Sequence, residues 1–86
     1  MYIETINDRG NESTMYIQHD FNGIRYKATL EDHETETGTR YVLTAFDSVD
    51  MPDWPTIYEF DSFPEALRGI ADNMQAFADD AKAKHD

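Results

Sequence analysis

An α+β fold is predicted: an antiparallel β-meander of four to five strands with one C-terminal amphipathic helix packed on one face. Three observations carry it. Asn22-Gly23 lies between two alternating runs, the strongest short-range hairpin signal, because both residues tolerate positive φ. Further β-rich runs follow in series, separated by turn residues. The period then changes after Ser62, where apolar residues recur every three or four positions.

The first strand is expected over Met1–Ile6, followed by a loop at residues 7–13, rich in Asn, Asp, Gly and Ser. The central hairpin spans Met15 to Leu30. A two-residue turn fixes its register: Phe21 faces Ile24, Asp20 Arg25, His19 Tyr26, Gln18 Lys27, Ile17 Ala28 and Met15 Leu30. One face is then almost wholly apolar, and the other carries Tyr16, Gln18, Arg25, Lys27 and Thr29. The polar residues His33–Thr39 read as a loop, with strand four at Arg40–Phe46. If Leu43 faces Leu30, then Tyr41, Leu43 and Ala45 join the core while Val42 and Phe46 lie opposite. Two prolines and three acids exclude regular structure from Asp47 to Pro55. Thr56–Phe60 reads as the last strand.

Ser62-Phe63-Pro64-Glu65 matches the capping box, with Pro64 in the first turn where its missing N–H costs nothing. The apolar stripe Phe63, Ala66, Leu67, Ile70, Met74, Phe77, Ala78 and Ala81 predicts a helix of about five turns, fraying at Lys82–Asp86. The expected core joins Met15, Ile17, Tyr26, Ala28, Leu30, Leu43 and Tyr58 or Phe60 to Leu67, Ile70, Met74 and Phe77.

At 86 residues the chain makes a single domain. It has no cysteine, which removes disulfides and thiolate chemistry. No apolar run reaches the ~18–20 residues of a membrane span, and the N-terminus lacks signal-peptide order. A soluble, cytoplasmic protein is expected, as a monomer or homodimer. Eighteen acids against seven bases give a formal net charge of −11. Direct nucleic-acid binding and anionic membrane binding are disfavoured, since both need Lys and Arg. A cationic protein surface is favoured as partner. Solubility, or a halophilic source, accounts for the same charge without a partner.

No catalytic or metal site is expected, and no cofactor. His19 on the apolar face has no nucleophile to activate; His33 and His85 read as solvated, and no histidine pair has metal spacing. No Gly-rich phosphate loop or nucleophile motif is present, which argues against an enzyme. Acidic residues form three groups. Glu31, Asp32, Glu34 and Glu36 mark the second hairpin, as a solvated tip or an electrostatic contact; the spacing lacks an EF-hand's ligand order. Asp47, Asp50 and Asp53 recur every third residue beside Met51 and Trp54. There the tryptophan either anchors a partner contact or folds back as a lid on the core. Asp72 and Asp79, with Glu65 and Asp80, run along the outward side of the helix.

In size, charge and predicted architecture the chain resembles the anti-CRISPR and anti-restriction proteins of phages and mobile elements, a likeness of class across the whole chain. It implies a non-enzymatic inhibitor whose carboxylates replace phosphates in the basic nucleic-acid channel of a CRISPR effector or other nuclease, in the host cytoplasm. An antitoxin or immunity protein covering a basic toxin is the alternative. An acidic housekeeping domain of a salt-adapted organism is the third.

Overall fold

The computed structural model describes residues 2–8 and 12–85. Five strands, β1 (Tyr2–Asp8), β2 (Glu12–Phe21), β3 (Ile24–Thr35), β4 (Gly38–Phe46) and β5 (Thr56–Phe60), precede a single helix, α1 (Phe63–His85). The strands form one antiparallel sheet in chain order, β1-β2-β3-β4-β5, with β1 and β5 at its edges. This is the α+β meander expected. Of the loop expected over residues 7–13, residues 7 and 8 belong to β1 and residues 12 and 13 to β2; residues 9–11 lie outside the described residues.

Asn22 (φ 55°) and Gly23 (φ 87°) both take positive φ, as a type I′ turn requires. Every expected pair follows, from Phe21↔Ile24 to Met15↔Leu30. Leu30 faces Leu43 across β3 and β4, and Leu43 faces Tyr58 across β4 and β5. One sheet face therefore stacks Ile17, Tyr26, Ala28, Leu30, Leu43 and Ala45, all buried. Helix α1 lies on that face and buries Ala66, Ile70, Phe77 and Ala81. The Phe77 ring meets Tyr26 edge-on at 5.3 Å.

The second hairpin differs from expectation. A two-residue turn at Glu36-Thr37 joins strands that continue through the polar stretch, pairing Asp32 with Tyr41, His33 with Arg40 and Glu34 with Thr39. Thr39 Oγ1 donates to Glu34 Oε1 at 3.1 Å, and Thr35 Oγ1 donates to the Gly38 carbonyl at 2.6 Å. Gly38 (φ 127°) supplies the backbone conformation the turn needs. The ribbon is held by backbone pairing and these side-chain bonds, so polarity did not make it a loop.

Helix α1 begins where the capping box places it. Ser62 Oγ accepts from the Glu65 N–H (3.3 Å), and the Ser62 carbonyl accepts from Ala66 N–H (3.0 Å). The helix continues through the segment expected to fray, and Lys84 Nζ reaches Asp50 Oδ1 at 2.7 Å. Leu67, expected in the core, is 44% exposed. It shares a flank with Ala71, Met74 and Ala78, which line a cleft beside Phe21 on the β2 side. One helix covers only part of a five-stranded sheet, and Leu67 falls beyond the covered strip. Tyr58 is likewise exposed, while Phe60 packs against the core.

Gly69 explains how closely α1 approaches β5. A Cβ built there would overlap the Phe60 ring, 2.6 Å from Cε1. Alanine favours helix over glycine by about 1 kcal/mol, yet overpacking costs about 1–3 kcal/mol. Gly69→Ala is therefore expected to lower the urea midpoint, and the cost should shrink in a Phe60→Leu background. A raised midpoint in the Gly69→Ala protein would show that the contact is loose.

Candidate functional site: the Asp47–Asp61 edge

The site starts from a carboxylate at the end of β4. Asp47 Oδ1 accepts from Thr56 Oγ1 (2.8 Å), and Oδ2 accepts from Tyr58 Oη (2.7 Å) and Asn73 Nδ2 (2.8 Å). Asn73 Oδ1 in turn accepts from the buried Tyr26 hydroxyl at 2.6 Å. The network joins β3, β4, β5 and α1 and gives the one polar atom of the Tyr26 side chain its partner. No buried side-chain polar atom among the described residues lacks a partner.

The electrostatics follow from these bonds. Burial pushes the Asp47 carboxyl upward, but hydrogen bonds from Asn73, Tyr58 and Thr56 outweigh it and hold the group below its ordinary value. The bond to Asp47 raises the Tyr58 hydroxyl, and burial raises that of Tyr26. The three Asp47 donors are two hydroxyls and an amide, and together they tie the start of the loop to β5 and α1.

Beyond Asp47 the chain turns outward. Met51 N–H donates to Ser48 Oγ (3.0 Å), and Trp54 N–H donates to the Met51 carbonyl (3.0 Å) across Pro52-Asp53. Val49 packs inward against the core. Met51 and Trp54 point away, and Trp54 is 66% exposed. Of the two readings of this tryptophan, the lid does not fit: Trp54 is not among the side chains packed on the core. Ile57 is 64% exposed on the sheet face opposite the helix. Between Asp47 and Asp61 the sequence has five acids and no base. The same stretch holds four of the large apolar side chains exposed among the described residues: Met51, Trp54, Ile57 and Tyr58. Acid and exposed apolar area coincide here.

The other acids are dispersed. Strand alternation puts Glu31 on the face opposite Asp32 and Glu34, while Glu36 sits in the turn; the four do not converge. Asp50 pairs with Lys84, and Arg40 is shared by Glu59 (3.0 Å) and Asp61 (3.4 Å). Asp53 and Asp72 are exposed; Asp79 accepts from Gln75 Nε2 at 3.1 Å. Within α1 the acids Glu65, Asp72, Asp79 and Asp80 are nearly balanced by Arg68, Lys82 and Lys84. The open sheet face also carries cations: Arg25 pairs with Asp20 at 3.2 Å, and Lys27 Nζ lies 5.2 Å from the Phe46 ring centroid. Of Tyr16, Val42 and Phe46 on this face, only Tyr16 is exposed, Val42 and Phe46 being half-buried.

Three residues that matter were not singled out from sequence. Ile57 alternates normally in a strand and gives no signal. Asn73 does: an amide among Ile70, Met74 and Phe77 on the apolar stripe needs a buried partner. Gly69 does too, as a helix-interior glycine with no other reason to be there. Among the described residues no group of three or more His, Cys, Asp or Glu is placed to hold a metal ion. No described helix is long and apolar enough to cross a membrane. No family model matches this sequence, and neither a curated protein nor a solved structure matches it.

The Asp47 network sets a pH dependence. A carboxyl held low in the folded state stabilises the fold above its unfolded pKa, and that stabilisation is lost as pH falls through the folded value. Asp47→Asn should cost about 1–3 kcal/mol at neutral pH by leaving donors unmatched. Its stability should also fall less steeply than the parent's as the solution is acidified below about pH 4. Parallel acid limbs for the two proteins in urea titrations would exclude Asp47 as a contributor.

Proposed function

We propose that this protein is a non-enzymatic inhibitor that binds, through the Asp47–Asp61 edge, the basic nucleic-acid-binding surface of a partner protein. A CRISPR effector or another nuclease is the class of partner. The coincidence of a base-free acidic stretch with exposed Met51, Trp54 and Ile57 carries the reading. Acidity alone serves solubility, and an exposed tryptophan alone is ordinary. Together they match an interface, in which a rigid aromatic fills a pocket while carboxylates meet Lys and Arg around it.

Charge also sets the mechanism. Two carboxylates, Glu59 and Asp61, share one guanidinium and keep net negative charge at the edge, to which Asp53 and Asp72 add. Facing a channel built for phosphates, such an edge competes with nucleic acid and associates fast at low salt. The acids on α1 contribute less than their spacing suggests, because three bases stand among them. The weight of the contact therefore sits on the loop and β5.

Inhibition should be competitive with nucleic acid in a panel of CRISPR effectors and restriction nucleases. Raising salt from about 50 to about 500 mM should weaken it sharply. Trp54→Ala should weaken it roughly thirtyfold, as a hot-spot truncation does. Binding indifferent to salt, or inhibition that excess nucleic acid leaves untouched, would overturn the proposal.

A further inference from the structure

Strand β5 is the last in the sheet order and pairs with β4 alone, through Tyr41↔Phe60 to Ala45↔Thr56. Among the described residues no strand pairs with its outer edge, which is a template for another strand. Five residues give roughly 17 Å of edge. Each of its faces carries one exposed large apolar side chain, Ile57 on one and Tyr58 on the other, and Trp54 stands two positions before its first residue. Beside the edge, on the helix side, runs an open groove of about 310 Å³ lined by Tyr58, Phe60, Gly69, Asp72 and Asn73. The missing side chain at Gly69 lets α1 close on the Phe60 ring and forms the inner wall.

We propose that the β5 edge receives an extended, arginine- or lysine-bearing segment of the partner as a sixth strand, with one basic side chain lying in the β5–α1 groove. The proposal rests on the reading of the partner as a basic protein. Strand addition draws its affinity from main-chain bonds and its selectivity from pockets for alternate side chains, and this edge offers both. An incoming side chain on the helix face lands beside Tyr58 and Phe60, where an aliphatic stem finds apolar surface and a cation finds aromatic rings. Asp72 at the groove carries no hydrogen bond or ion pair among the described residues and can take the cation. On the opposite face the neighbours are Ile57 and Glu59, which accept an apolar and a basic residue in turn.

Charge decides between this occupant and a second copy of the chain. Pairing two β5 edges brings together two chains of net charge −11 and sets Asp53, Glu59, Asp61 and Asp72 of one against those of the other. Like charges directly opposed across strands are destabilising. A basic segment reverses the sign of each contact.

Two peptides of equal charge test the inference, one alternating arginine with valine, the other arginine with proline, which cannot pair as a strand. The probe is backbone amide exchange and chemical shift in the full chain. At ten times its Kd the arginine–valine peptide should slow exchange of β5 edge amides about tenfold, and Asp72→Asn should weaken its binding about fivefold. Equal binding of both peptides without β5 protection would overturn strand addition while leaving the acidic contact surface in place. Failure of the arginine–valine peptide to perturb β5 would overturn it as well. So would a dimer of the free protein with β5 already protected, since the occupant would then be a second copy.

Discussion

The carboxylate of Asp47 is the constraint on which this structure turns. It sits at the end of β4, where the chain leaves the sheet, and accepts from β5 twice and from α1 once. Through Asn73 the same network satisfies the hydroxyl of Tyr26, the largest fully buried side chain. Removing the acceptor would strand three donors and leave the outer strand held by its pairing to β4, the Arg40–Glu59 ion pair and the packing of Phe60. A small domain has little stability in reserve, so an anionic acceptor that ties four elements matters more than its partial exposure suggests.

That tie also bears on the contact proposed for the exposed loop. Ser48 and the turn at Pro52-Asp53 fix the path of the backbone, and Val49 anchors it to the core. Met51 and Trp54 are thereby presented on a scaffold that is already ordered, which reduces the entropy lost on binding. The acids beside them are of two kinds. Asp47 faces inward and serves the fold, whereas Asp53 faces water; a spacing of three residues in sequence does not distinguish the roles.

Much of the fold was legible because local chemistry and side-chain pattern agreed. Asn22-Gly23 specified the register of β2 and β3, and Ser62 specified the start of α1, each through a backbone requirement that few residues meet. What was misread had no such marker. His33 to Thr35 are polar in a strand as they would be in a loop, and their pairing partners are visible only in the folded sheet. Leu67 obeys the helical period, but the period cannot tell how much sheet lies beneath it. In the candidate site Trp54 was visible as a possibility, and its exposure was decided by packing. The donors to Asp47 come from residues 9, 11 and 26 positions away, so the acid looked like one of a series.

Asp47 is an anion in the folded protein, gathered by three donors at the junction of β4, β5 and α1. Its carboxyl carbon can be followed directly by NMR through an acid titration of the folded chain. The predicted midpoint lies below the ordinary value of 3.8, with the side-chain amide of Asn73 shifting at the same pH. A midpoint at or above 3.8, or an Asn73 amide that does not sense it, would contradict this role of Asp47.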